Sequence, residues 1–312
     1  MINGVIVIDK SQEMTSFDVV AILRRTLHIK KIGHTGTLDP MATGVLPICI
    51  GDATKLVDHL MDKEKHYACE MVLGKATSTL DAWGEVIEEK EVPNLTDDVI
   101  HQTIKRFEGE IMQVPPMYSA IKIKGQKLVD LARKGIEVER QPRPVTIYAI
   151  ENIVIKDIKI AFDVKCSKGT YIRTLCDDIG RALGTVAHMT ALRRMASKPF
   201  DLSMALPISN LTEENILENL ISIEEALSNF PELSVEANAA ILKKINNGVK
   251  LNLLRYQDDK KSFIKPEDLI KGQLYRLYVN GVFYGIADER NQGIYLKRRF
   301  DKVLKQCDKQ ES

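Results

Sequence analysis

The side chain best placed to do chemistry is Asp39, in the segment Gly33-His34-Thr35-Gly36-Thr37-Leu38-Asp39-Pro40. Gly33, Gly36, Pro40 and Gly44 make 33–44 a tightly turned backbone that a large group can approach. A carboxylate there can act as a nucleophile, or it can cap a helix that starts at Pro40; the residues alone leave both open. The loop is no phosphate cradle, because GxxxxGK(S/T) is absent and no GxGxxG follows a strand. Cys49, Cys69, Cys166, Cys176 and Cys307 are scattered, with no CxxC and no histidine cluster at metal-ligand spacing. The expectation from the residues is a reduced, cytoplasmic protein without zinc.

Several elements must position that loop. An apolar run, Val5-Ile6-Val7-Ile8, reads as a first strand, followed by a helix that Ser16 would cap, with Phe17, Val20, Leu23, Arg24 and Leu27 as its stripe. Val45–Ile50 reads as the next strand, then Ala68–Leu73 and Glu85–Glu88, split by the loop Thr77–Gly84. Residues 96–108 read as helix, 150–156 and 159–166 as a strand pair about Asp157, and a helix from Arg173 stops at Gly184. The acidic stretch 209–227 reads as helical. After Phe230-Pro231 short apolar runs alternate with turns, and Asn280-Gly281 between two of them signals a hairpin. Irregular order of strands and helices predicts an α+β fold, a mixed-sheet catalytic domain over 1–230, with a small C-terminal β-barrel domain over 231–312.

The chain of 312 residues carries a net charge of only +1, but the average hides a separation. Between Pro199 and Leu242 there are eight acids and no Lys or Arg, so the remaining sequence carries +9. A basic insertion over about 117–147 holds Lys122, Lys124, Lys127, Arg133, Lys134, Arg140 and Arg143 against three acids. A polyanion responds to such local fields rather than to the total, although charges spread over solvated faces would look the same. No apolar run approaches the roughly 18 residues that a membrane helix needs, so no membrane association is expected.

Six ordered segments carry a resemblance to a known family. Gly33–Pro47 resembles the catalytic-aspartate motif of the TruB family, bacterial synthases that form pseudouridine at position 55 in the T-arm of tRNA. Lys65-His66-Tyr67 is similar to its KxY element, Thr77–Gly84 to TDTxDxxG, and Val114–Lys122 to QxPPxYSAxK. Ser167-Lys168-Gly169-Thr170-Tyr171-Ile172-Arg173 and Ala191-Leu192-Arg193-Arg194 resemble its last two motifs, so the likeness runs from about residue 3 to 200. Ser78 departs from a usual aspartate, and Met195–Phe200 from a usual Thr-x-x-Gly-Pro-Phe. The tail from about 232 resembles a PUA domain, an RNA-binding module, through Asn247-Gly248, Gly281, Gly285 and Lys297-Arg298-Arg299-Phe300.

What the resemblance implies is specific. Asp39 would be the nucleophile toward a flipped-out uridine, with attack at C6 of the base or C1′ of the sugar both open. Arg173 would lie beside it and, at about 4–6 Å or less, offset the upward push of burial on the carboxyl. Tyr67 would stack on the uracil or assist loss of the C5 proton, and Lys65 would hold phosphate or brace the pocket. Leu192 would wall it, His34 would fill the space the uridine leaves, and Lys122 with the rest of the insertion would contact phosphates as a flap. The partner implied is tRNA, bound by a monomer with no obligatory protein partner, and an isomerisation of this kind implies no cofactor. Two rival classes remain, a catalytically silent RNA-binding protein and a guide-RNA-dependent synthase.

Overall fold

The computed structural model describes residues 2–61, 64–123, 125–249, 269–290 and 293–300. It divides into two compact units, one built from 6–49 and 56–219, the other from 2–5, 50–55 and the described residues from 220 onward.

The first unit is organised by one mixed sheet. Its long strands are β1 (Gly4–Lys10), β2 (Thr43–Ile50), β3 (Lys65–Leu73), β4 (Gly109–Gln113), β5 (Arg143–Lys156), β6 (Lys159–Cys166), β7 (Ala187–Ser197) and β8 (Ala205–Pro207). Their spatial order is β8-β1-β2-β7-β3-β6-β5-β4. The β1–β8 and β2–β7 pairs are parallel, whereas β7–β3, β3–β6, β6–β5 and β5–β4 are antiparallel. From Gly44 to Ile50 β2 is buried at every residue, as a strand inside a covered sheet must be. On β3 burial alternates, which puts Lys65, Tyr67, Cys69, Met71 and Leu73 on one face. The β7–β3 register sets Arg194 opposite Tyr67 and Leu192 opposite Cys69, and shifts by a bulge between Arg194 and Ala196. A bulge next to a site re-aims side chains that a regular ladder would leave pointing the wrong way.

Helix α1 (Ser16–Leu27) corrects two sequence expectations. Its cap is Thr15, not Ser16: Thr15 and Asp18 form a reciprocal capping box. Ser16 is buried and spends its hydroxyl on Leu38 instead, accepting from the Leu38 N–H at 2.9 Å and donating to its carbonyl at 3.2 Å. The buried stripe is Ser16, Val19, Val20, Leu23 and Leu27, while Phe17 lies off it, 66% exposed. Helix α2 (Asp97–Lys105) and helix α3 (Ile172–Ala182) follow, α3 packing against β7 and β3. The strand pair about Asp157 is β5 and β6, with Asp157 at φ +54 in the turn.

The acidic stretch is helical as expected, in two short helices, Glu213–Glu218 and Ile223–Ala226. Glu213, Glu214, Glu224 and Glu225 all sit in first turns, where negative charge meets the helix dipole. Local capping therefore explains much of the charge separation.

In the second unit β9 (Glu232–Val235) runs parallel to β10 (Leu274–Val279), which continues antiparallel into β11 (Val282–Arg290) and β12 (Gly293–Arg299). The β10–β11 hairpin turns at Asn280-Gly281, both at positive φ, as its two-residue turn requires. Leu233, Val235, Tyr275, Leu277, Val279, Tyr284, Ala287 and Ile294 form its core with Ile245 of α4 (Ala239–Asn246). The expected barrel is corrected: among the described residues this is an open four-stranded sheet. Lys124 and Cys307, singled out in the sequence, lie outside the described residues.

Candidate active site

The backbone around Asp39 is held from three sides. The Ala42 N–H donates to the Asp39 carbonyl at 3.0 Å, closing a turn with Pro40 in its second position. No helix starts there, so the capping alternative for Asp39 falls. Ser16 grips Leu38, the residue before Asp39. Lys10, fully buried at the end of β1, donates to the carbonyls of Ser11 (2.8 Å), Met14 (2.7 Å) and Pro40 (3.3 Å), the residue after it. Arg194, buried on β7, donates to Val45 O at 2.6 Å and Gly36 O at 3.2 Å. Gly44, at φ +98, lies so close to the Arg194 backbone that a Cβ would collide with it.

Arg173, at the start of α3, joins three separate segments through one guanidinium. Its Nε lies 3.0 Å from Asp39 Oδ2, its Nη1 donates to Thr79 O at 2.9 Å, and its Nη2 donates to Tyr118 O at 2.8 Å. Asp81 Oδ2 is a second carboxylate neighbour, 3.6 Å from Nη1. Asp81 is fixed in turn by the Thr79 hydroxyl (2.6 Å) and the Trp83 N–H (3.0 Å). The departure at Ser78 is accommodated in this loop, since Ser78 Oγ accepts from the Glu85 N–H at 3.2 Å and closes its base. The Arg173 side chain is 5% exposed, whereas that of Asp39 is 35% exposed. The cation is locked away while the carboxylate stays open to an incoming group.

Asp39 lines a cavity of about 260 Å³ with Lys65, Tyr67, Ser119, Tyr171, Arg173, Leu192 and Arg194. That is just below the roughly 300–1,000 Å³ of typical ligand pockets, and suits one base rather than a folded RNA. Burial pushes the Asp39 carboxyl above its ordinary value; Arg173 pulls it down, Asp81 adds to the rise, and burial wins. The offset expected from Arg173 is therefore incomplete. The Tyr67 phenol, hydrogen-bonded to Arg194, is pushed up by burial and keeps its proton. Lys65 is buried and donates to Met61 O at 2.6 Å, which makes it a brace of the pocket wall.

Asp39, Tyr67, Arg173, Lys65 and Leu192 thus come together, and two other predicted residues do not join them in the cavity. His34 stands outside its lining, in a T-shaped pair with the Phe17 ring, centroids 5.2 Å apart. Lys122 is exposed on a two-residue strand, Lys122–Ile123, and does not line the cavity. The insertion is tethered at its start by Tyr118 and packs Leu128 and Leu131 inward. Sequence reasoning missed Lys10, Asp81, Tyr171 and Arg194 as site residues. Tyr171, two places before Arg173, has its backbone clasped by the Gln113 side chain at 2.8 and 3.0 Å, and burial and Asp39 both raise its phenol. Asp81, Tyr171 and Arg194 lie inside the recognised motifs, so position within a motif was the available signal; Lys10 gave none.

The chain matches known proteins along most of its length. Residues 24–172 match the family model described as TruB family pseudouridylate synthase (N terminal domain), and 173–230 match tRNA pseudouridylate synthase B C-terminal domain. A tRNA pseudouridine synthase B of Clostridium perfringens is 48% identical over 95% of this chain and 98% of that protein. One from Clostridium tetani is 45% identical over 93% of this chain and 97% of its own length. Among solved structures, an H/ACA RNP bound to a substrate RNA containing 2′-deoxyuridine aligns with TM-score 0.69 at 25% identity, covering 96% of this chain and 86% of that one. A Cbf5-Nop10-Gar1 complex aligns with TM-score 0.67 at 28% identity, covering 91% and 78%.

Proposed function

The chain belongs to the TruB family of pseudouridylate synthases, and from that premise we propose that it isomerises uridine to pseudouridine at position 55 in the T-arm of tRNA, with Asp39 as the nucleophile. The reaction breaks the bond between N1 and C1′, turns the uracil, and joins C5 to C1′; C5 loses its proton, N1 gains one, and the bond Asp39 forms, to C6 or to C1′, is broken again before release. Reactant and product are isomers, so no redox or group donor enters the balance. The observation that carries the reading is the Asp39–Arg173 pair, 3.0 Å apart, at the wall of a cavity sized for one base. A uridine within a folded loop must leave its stack to enter, at a cost of a few kcal/mol. Arg173 holds the carboxylate in place and favours its ionised form, the Tyr67 ring and Leu192 offer apolar surfaces to the base, and Arg194 fixes the Tyr67 hydroxyl.

Catalysis in this reading resides in residues 1–230, and residues 231–312 add RNA contact through exposed Lys297 and Arg298. The test is to incubate the purified chain with unmodified tRNA and map pseudouridine. Product in the T-arm at position 55 is expected. A silent RNA-binding protein makes none under any condition, and a guide-dependent synthase makes none until guide and partners are added.

A further inference from the structure

Phe17 breaks the pattern of its own helix. It is 66% exposed beside a stripe of fully buried residues, and its ring meets the His34 imidazole at an interplanar angle of 85°. An exposed phenylalanine on a mobile end would mean little. This one is held: the capping box fixes the first turn of α1, and Ser16, its neighbour, is bonded to both backbone groups of Leu38, next to Asp39. Its partner is fixed too. The Gly36 N–H donates to His34 Nδ1 at 3.3 Å, so that nitrogen carries no proton and the ring is the neutral Nε2–H form. Burial and Arg194 both favour that neutral state. Two rings with defined orientation thus stand on the catalytic loop and the helix bolted to it, one of them with most of its surface open.

We propose that Phe17 is an RNA-stacking residue, which with His34 takes over the stacking that neighbouring nucleotides lose when the target uridine leaves the loop. The inference rests on the pseudouridine synthase reading of the Asp39 site. Nucleobases stack on aromatic faces whatever their sequence, and a fixed ring costs less ordering on binding than a free one. A residue of this kind contributes to holding the opened RNA and takes no part in bond rearrangement.

The experiment compares Phe17→Ala, Phe17→Leu and Phe17→Trp with wild type on a T-arm stem-loop, following pseudouridine formation and thermal unfolding. The Ala and Leu variants should lose about tenfold in kcat/KM, and Trp should stay within about threefold of wild type, because stacking needs a flat ring. All three should unfold at nearly the wild-type temperature, since so exposed a side chain adds little to the core. On a stem-loop with abasic sites beside the target uridine, wild type and Phe17→Ala should converge. Wild-type conversion of the stem-loop with an Ala or Leu variant just as active overturns the Phe17 assignment alone. Failure of wild type to convert the stem-loop overturns that assignment and the functional reading together.

Discussion

The Asp39 cavity and the C-terminal sheet are built on opposite principles. Around the cavity, buried polar groups do the joining: Arg173 links Asp39, the Thr79 loop and Tyr118, while Arg194 and Lys10 hold the turn on either side. In the C-terminal sheet, Leu233, Tyr275, Leu277, Val279 and Ile294 join strands and helix by apolar contact. Apolar packing tolerates substitution of similar volume, and its loss spreads over the unit as instability. A buried guanidinium with several acceptors has no substitute of equal shape, and its loss falls on the geometry of one site. The proposed chemistry falls where the structure depends on single residues.

That contrast can be broken first at Arg173. Arg173→Met should lower kcat/KM by about 10²–10³-fold, the scale on which losing one preorganised charged contact in an active site falls. Without the cation, Asp39 and Asp81 are left to repel each other, and the Asp39 carboxyl rises further. Activity near wild type, measured on tRNA under single-turnover conditions, would show that the guanidinium serves packing alone. On the other side, Leu277→Ala in the C-terminal core should cost about 2–5 kcal/mol in urea unfolding of that unit. The single-turnover rate at saturating tRNA should stay close to wild type; a comparable fall in that rate would erase the distinction between the regions.

The smallest effect is a pH dependence at Lys10. Burial lowers its ammonium to about 8, against an ordinary 10.5, with Asp39 pulling it back up. Between those values the unfolded chain holds a proton that the folded one has lost, so stability due to this residue rises with pH across that window. Below about pH 8 both states are charged, and the buried charge is a constant cost. The stability of wild type relative to Lys10→Met should therefore climb by at most about 3 kcal/mol from pH 8 to about 10. A difference that is flat in pH means Lys10 titrates normally.

Much of this was readable in the residues. The Asp39 loop, the strand over Ala68–Leu73, the α3 start near Arg173 and the Asn280-Gly281 hairpin all stand where expected, because each rests on local spacing or turn chemistry, although that strand begins three residues earlier and so carries Lys65 and Tyr67. What escaped depends on distance in sequence. Nothing local separates Arg193, which pairs with Asp9 near the surface at 2.7 Å, from Arg194, which is buried against Val45 and Gly36. Lys10 looks like a solvated lysine ending a strand until Met14 and Pro40 fold over it. Thr15 and Ser16 are equally good caps on paper, and only the Leu38 backbone decides which hydroxyl is free to cap. The acids of 209–227 marked the stretch as helical, but their number did not show that they fall in two separate first turns.

The central claim is that the carboxylate held beside Arg173 is the nucleophile, and Asp39→Asn tests it most directly. The variant keeps the shape of the side chain and removes the charge. It should bind tRNA within about threefold of wild type and form no pseudouridine over many wild-type turnover times. Substantial conversion by Asp39→Asn, mapped to the same nucleotide, would contradict the account.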